Sequence, residues 1–208
     1  MNNTKLVIKE TALNLFSKNG FHAVSIRDIC KEVGIKESTI YYHFENKQDI
    51  FNELLSDFYE ITKTKKEKFS SELSTISWVE EQPFILVGLG FLNNYFLNEI
   101  VLKFLRMLSL EQQGNEKAAE LYHQVLFDDP LQHCSAVFKT LIQIGCFAEG
   151  DIDCMAMEYY APIFLIFNKY FACGEITDIK HKEANEILTV QLRKFYVRYC
   201  TNTTRKVK

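Results

Sequence analysis

Proline is scarce in this chain, with three in 208 residues (Pro83, Pro130, Pro162), and only eight glycines interrupt it. Both residues break regular helices, so long helical stretches meet few obstacles. Alternating apolar and polar segments of convincing length are missing too, which removes the pattern of half-buried strands. Apolar residues recur at spacings of three and four instead. The chain is expected to be all-α. Its longest nearly continuous apolar run, Phe84 to Leu92, is nine residues long and contains two glycines, against the roughly 20 that a membrane-spanning helix needs. The opening Met1-Asn2-Asn3-Thr4-Lys5 leads into mixed residues rather than into an apolar stretch with a small-residue cleavage site. A cytoplasmic protein with no membrane partner is the expectation.

Paired cysteines and excess charge are also absent. The six cysteines (Cys30, Cys134, Cys146, Cys154, Cys173, Cys200) include no C-x-x-C pair. Most sit in apolar, helix-like contexts, where a free thiol behaves as a small hydrophobe. A redox switch would need two of the later five to meet in space. The net charge of -3 divides into +1 over residues 1–68 and -4 over the remaining 140, so any case for a polyanionic partner rests on local geometry. There is no phosphate-cradling glycine loop, no Gly-x-Ser-x-Gly elbow and no His-Glu-x-x-His, and His123, His133 and Cys134 are not spaced as a standard metal set. Neither an enzyme nor a metal or cofactor site is expected.

What is there is helical periodicity and 47% hydrophobic residues, ample for a core. The spacing predicts helices over about residues 5–19, 26–33, 37–43 and 47–68, then from Pro83 to Leu97, and over 99–113, 116–127, 131–147, 154–173 and 182–199. That makes about nine or more. Ser70–Gln82 reads as a loop and helix start, and the polar tail Thr201–Lys208 as frayed. At 1.5 Å per residue the helix over 47–68 spans roughly 30 Å. It is expected to connect a small domain, 1–46, to a larger helical domain, 47–208.

The informative segment is 25–44. Ser25 can cap a helix, with Asp28 three residues on completing a capping box. Ile26, Ile29, Cys30 and Val33 make one apolar face, Gly34 supplies the positive φ of a sharp turn, and Ile35 fills the corner. Ile40 and Phe44, four apart, bury the next helix, which leaves Lys36, Glu37, Ser38, Thr39, Tyr41, Tyr42 and His43 facing outward. In a helix-turn-helix the second helix enters the DNA major groove, short side chains near base edges and flanking donors on phosphates. Ser38 and Thr39 fit the first task; Tyr41, Tyr42 and His43 fit the second. Asn46 and Asp49 can cap the long helix, placing Lys47 at its positive end, where a phosphate would offset the unfavourable cation.

Gly20, Phe21, Ser25, Ile29-Cys30, Gly34-Ile35, Thr39-Ile40-Tyr41-Tyr42-His43-Phe44 and Lys47 together resemble the tetracycline-repressor (TetR) family of regulators over about residues 5–55. The resemblance implies a three-helix DNA-binding domain followed by a helical effector-binding and dimerisation domain. It also implies a DNA-facing set of Ser25, Arg27, Lys36, Ser38, Thr39, Tyr41, Tyr42, His43 and Lys47, with Tyr41, His43 and Lys47 mainly on the backbone. Two positions depart from the family pattern. Lys36 stands where a capping Ser or Thr is frequent, and Ser38 where a Gly is.

For the whole chain the resemblance implies a repressor that binds a palindromic double-stranded DNA operator as a homodimer and is released by a small-molecule effector. Tyr160, Phe164, Phe167 and Phe171 share a face, as do Leu188, Leu192, Phe195 and Tyr199. These two faces are the expected four-helix dimer interface, and an intramolecular core is the competing reading. The expected effector site lies among the middle helices, with Phe91, Tyr95, Phe104, Met107, Tyr122 and Phe164 as walls and Asn94, Gln112 and His133 as polar contacts. The ligand class that fits is apolar or aromatic. A helical ligand- or partner-binding protein that has lost DNA contact is the alternative function.

Overall fold

The computed structural model describes residues 2–73 and 78–201. In chain order they form α1 (Asn2–Asn19), α2 (Ile26–Val33), α3 (Glu37–His43), α4 (Lys47–Leu73), α5 (Glu81–Gly90), α6 (Glu99–Glu111), α7 (Glu116–His123), α8 (Asp129–Gln143), α9 (Ile152–Tyr170) and α10 (Asp178–Tyr199). Two π-helical segments, Phe91–Phe96 and Gln124–Asp128, follow α5 and α7. The fold is all-α: among the described residues there is no strand, only an isolated bridge between Phe147 and Cys200. No single described helix is long and apolar enough to cross a membrane.

Helices bounded by local signals have the limits read from sequence, and others do not. The helix expected to end at residue 68 runs through Leu73, so the start of the expected Ser70–Gln82 loop is helical. Residues 74–77 of that loop, and residues 202–208 of the expected frayed tail, lie outside the described residues. α5 begins at Glu81, two residues before Pro83. Proline is tolerated in a first turn because its missing N–H would have no intrahelical partner there. The same holds for Pro130 in the first turn of α8.

The helices pack as two compact units. The first combines Met1–Thr64 with Glu99–His123 and the second combines Lys65–Asn98 with Gln124–Lys208. In the first, Ile8, Ala12 and Phe16 of α1, Ile29 of α2, Ile40 of α3, Phe44, and Ile50, Phe51 and Phe58 of α4 are buried with Met107 and Leu108 of α6. Phe58 stacks on Phe104 at 4.5 Å between ring centroids. Each large apolar side chain so enclosed stabilises by roughly 1.5–3 kcal/mol. At the rim, Lys5–Glu53 and Lys9–Asp57, both at 2.6 Å, join α1 to α4. Partly exposed pairs of this kind contribute about 1 kcal/mol or less.

The second unit is built around Phe84 of α5, whose ring stacks on Phe195 of α10 at 5.9 Å and meets Tyr159 of α9 edge-on at 5.4 Å. α5 approaches α10 closely at Gly88, where a Cβ would lie 2.6 Å from Leu192 Cδ1 and 2.9 Å from the Tyr159 hydroxyl. A methyl group there would have to push the Leu192 and Tyr159 side chains aside. The end of α10 is tied back to the α8–α9 turn: Ala148 N–H donates to Tyr199 O at 2.8 Å and Thr201 N–H to Cys146 O at 3.1 Å. Cys30, Cys134, Cys146 and Cys200 are buried, while Cys154 and Cys173 are exposed.

This packing corrects the expected dimer face. Tyr160, Phe167, Phe171, Leu188, Leu192 and Phe195 are all buried within the single chain. A large side chain already enclosed has no surface left for a second copy, so for these residues the intramolecular reading wins. Phe164 and Tyr199 are half-buried. Among the apolar residues that α9 and α10 leave outside are Met157 and Leu165, and Ile179, Ile187, Val190 and Val197.

Candidate nucleic-acid interface

The α2–turn–α3 motif is assembled by short-range hydrogen bonds. Ser25 Oγ accepts from Asp28 N–H at 3.2 Å, and Asp28 Oδ2 accepts from Ser25 N–H at 2.8 Å, which completes the capping box. The Ser25 hydroxyl, which donates to Asp28 Oδ2 at 2.6 Å, and then the Ser25 N–H hold the Asp28 carboxyl below the usual carboxylate range. α2 ends at Gly34, φ 76°, with its N–H on Cys30 O at 2.9 Å. Lys36 precedes α3 with no side-chain cap, as expected of a lysine where a hydroxyl would serve. Its carbonyl takes the Thr39 N–H at 2.9 Å.

With Ile40 fully buried and Phe44 nearly so, α3 turns its other faces outward. Tyr42 is 72% and Tyr41 55% exposed. Lys36 and Ser38 are exposed, and Thr39 and His43 half-buried. The Tyr42 and His43 rings meet edge-on at 5.0 Å. Arg27, on the exposed side of α2, donates through Nε to Glu37 Oε1 at 3.0 Å, so its guanidinium is aligned along the start of α3. Hydroxyls, an imidazole and two cations thus share one region, with the donor chemistry that phosphate and base-edge oxygens accept.

Lys47 departs from its expected role. Its Nζ donates to Phe21 O at 2.6 Å and Val24 O at 2.7 Å, and lies 4.2 Å from the Phe21 ring centroid. Two of an ammonium's three donors are therefore engaged inside the fold, and burial pushes the group's pKa down against the opposing influence of Glu111. The lysine at the helix N-terminus binds the α1–α2 turn rather than standing open as an anion site. The capping of α4 also differs in detail. Asn46 Oδ1 accepts from Asp49 N–H at 3.0 Å as expected, but Asp49 Oδ2 reaches Glu45 N–H at 3.1 Å.

The expected effector set is divided between the two units. Phe104, Met107, Gln112 and Tyr122 belong to the first unit, and Phe91, Asn94, Tyr95, His133 and Phe164 to the second. Met107 is fully buried and Phe104 nearly so, so these two are packed core and present no face to a water-sized space. In the second unit a smaller group does meet. Phe91 stacks on Tyr95 at 5.1 Å and lies 6.2 Å from the His133 ring and 6.1 Å from Tyr160. Phe164 packs on Phe127 at 5.1 Å. Burial lowers His133 to about 4 and raises Tyr95, so at neutral pH the group is uncharged. Lys65 lies 5.2 Å from the centroid of the Tyr95 ring. Of the neighbours in this group, Tyr160 is one of the residues expected at the dimer interface, while Phe127 and Lys65 carry no sequence signal for a site. Asn94 is exposed.

A capped α2, a left-handed glycine turn and a donor-rich α3 make the N-terminal unit of this all-helical chain a helix-turn-helix by architecture. Residues 8–54 match the family described as bacterial regulatory proteins, tetR family. The chain is 36% identical over 78 residues to the probable HTH-type transcriptional regulator YttP of Bacillus subtilis, covering 38% of each protein. It is 41% identical over 44 residues to IcaR of Staphylococcus epidermidis, a biofilm operon icaADBC HTH-type negative transcriptional regulator, covering 21% of this chain and 24% of that one. The matched stretches thus span well under half of these relatives' length. Over the whole fold it superposes on a TetR-family transcriptional regulator from Mesorhizobium loti with a TM-score of 0.70, covering 95% and 96% of the two chains at 20% identity. It also superposes on Bacillus subtilis FadR in complex with stearoyl-CoA, with a TM-score of 0.61, covering 90% and 97% at 20% identity. Identities of this level carry the fold alone. Residues 8–54 are thus similar to the N-terminal region of the tetR family, and the whole chain shares the fold of TetR-family structures.

Proposed function

We propose that the chain is a homodimeric repressor that reads a palindromic double-stranded operator through α3 and leaves it on binding a small apolar or aromatic effector. The observation that carries the reading is the division of α3, which buries Ile40 completely while Tyr42 stands 72% exposed beside Ser38, Thr39 and His43. Ser38 and Thr39 take the base edges, Tyr41, Tyr42 and His43 the phosphates, and Arg27, Ser25 and Lys36 the flanks. The negative regulation named for IcaR supports repression. The acyl ligand of FadR supports an apolar effector, which the uncharged Phe91, Tyr95 and His133 group in the second unit would suit.

A single α3 offers too few contacts for a tight, selective site, whereas two about 34–36 Å apart read successive major grooves. The second copy is expected on the outer faces of α9 and α10, where Met157, Leu165, Ile187, Val190 and Val197 are exposed. Glu158 braces that pair of helices by holding Arg198 and Tyr199. α4, shared by both units, is the element expected to convert effector binding into a change in α3 spacing.

Retardation of the duplex upstream of the chain's own gene tests the reading. The wild type is expected to retard it, with affinity falling as salt rises because phosphate contacts release counterions. Tyr42→Ala is expected to weaken it. Equal retardation by wild type and Tyr42→Ala, or none by either, favours the helical binding protein that has lost DNA contact.

A further inference from the structure

Among the described residues three polar or charged side chains are buried: Ser17, Thr62 and Glu111. The two hydroxyls bond carbonyls of their own helices, Asn14 O at 3.0 Å and Tyr59 O at 2.8 Å. Glu111, the last residue of α6, does something different. Its Oε1 accepts the Phe21 amide proton at 2.8 Å, across 90 residues of sequence, and its Oε2 lies 3.8 Å from His22 Nε2.

Phe21 is held from its other side as well, since its carbonyl accepts from Lys47 of α4 at 2.6 Å. One residue thus has its N–H fixed by α6 and its C=O by α4. Its ring is wedged between Phe16 at 5.4 Å and Phe51 at 5.0 Å. Gly20, just before it, has φ +80°, and a Cβ built there would stand 3.3 Å from Glu111 Oε1, so the turn is shaped around the carboxylate. Four residues later Ser25 opens α2.

A carboxylate enclosed this far from water is unfavourable unless hydrogen-bonded and near a cation. The Phe21 amide and the Lys47 ammonium meet both conditions. An apolar side chain would fill the same space without desolvating a charge, so what the carboxylate adds is direction.

We infer that Glu111 is a positioning residue for the DNA-reading helices: from the end of α6 it clamps the Phe21 peptide opposite Lys47 and so sets how α2 and α3 are presented. This rests on the reading that α3 binds DNA. A displacement of the last turn of α6 by about 1 Å takes the Glu111–Phe21 contact out of hydrogen-bonding range, which makes the motif's pose answerable to α6.

Amide hydrogen exchange of the full chain without DNA, and affinity for the upstream duplex, test the inference in Glu111→Ala, Glu111→Gln and the neighbouring exposed Leu110→Ala. A hydrogen bond to a charged acceptor stabilises enough that its loss in Glu111→Ala should speed Phe21 exchange roughly 10- to 150-fold. Affinity should fall about fivefold or more. Glu111→Gln keeps a neutral acceptor, about half as strong, and should fall between wild type and Ala in both readouts. Leu110→Ala should change neither. Unaltered Phe21 exchange in Glu111→Ala, or faster exchange with unaltered affinity, overturns the inference. If Glu111→Ala does not fold, Glu111→Gln decides by the same two readouts. A wild type that binds no duplex defeats the DNA reading, while the exchange results still report whether the clamp exists.

Discussion

Replacing Lys47 by methionine separates two roles that make opposite predictions. The substitution keeps the aliphatic stem and removes the ammonium, and with it the bonds to Phe21 O at 2.6 Å and Val24 O at 2.7 Å. Hydrogen bonds from a charged donor contribute about 1.5–3 kcal/mol each. Here both share one ammonium whose partial burial offsets part of the gain, so the pair is worth about 2–3 kcal/mol in total. The Phe21 ring below the cation adds about 0.5–1 kcal/mol. Lys47→Met is therefore expected to lower unfolding free energy by about 3 kcal/mol. At an m-value of 2–3 kcal/mol/M the urea midpoint drops by roughly 1 M. A lysine that only touched phosphate would leave stability within about 0.5 kcal/mol. It would instead reduce the slope of log affinity against log salt by about 0.9. An unchanged urea midpoint together with that reduced salt slope would refute the internal role.

Gly88→Ala forces a methyl to within 2.6 Å of Leu192 Cδ1 and 2.9 Å of the Tyr159 hydroxyl; overpacking of this kind costs about 1–3 kcal/mol, and calorimetry should show a melting temperature several degrees lower. Leu165→Glu combined with Val190→Glu puts charge on the exposed apolar faces of α9 and α10, and light scattering should report monomers while circular dichroism is unchanged. A persisting dimer would move the interface elsewhere. For His133, the folded pKa of about 4 lies below the ordinary 6.5, so below pH 6.5 the unfolded chain binds the proton that the folded chain refuses. Stability is then fully present above pH 6.5 and falls progressively as pH drops to about 4, by at most about 3 kcal/mol. His133→Gln should flatten that part of the stability profile, and an equally steep profile in the variant would assign the loss to other groups.

The parts of the molecule legible in sequence are those whose cause is local. Ser25 with Asp28, and Gly34 after Val33, set the limits of α2 within a few residues of themselves, and α2 and α3 have the bounds that spacing predicts. Apolar periodicity also found the inward faces of α9 and α10. It could not say against what they pack, because a stripe made for a neighbouring helix and one made for a second copy obey the same spacing, and so Tyr160, Phe167 and Leu192 were expected at an interface that packing within the chain has already filled. Lys47 and Glu111 were illegible for a different reason. Each owes its environment to a partner far along the chain, Lys47 to Phe21 and Val24 and Glu111 to Phe21, and a charged residue at a helix end looks the same in sequence whether it faces solvent or a distant turn.

The distribution of thiols has a practical consequence. Four are enclosed, and burial pushes that of Cys134 up to about 12, so maleimide reagents should bypass it in the native protein. Cys154 and Cys173 are open to reagent, one near the start of α9 and the other just beyond its end, separated along the helix by something close to 28 Å at 1.5 Å per residue. Spin labels or fluorophores can therefore be placed at both ends of one rod without mutagenesis, and in an assembly of two copies they would serve as four built-in rulers.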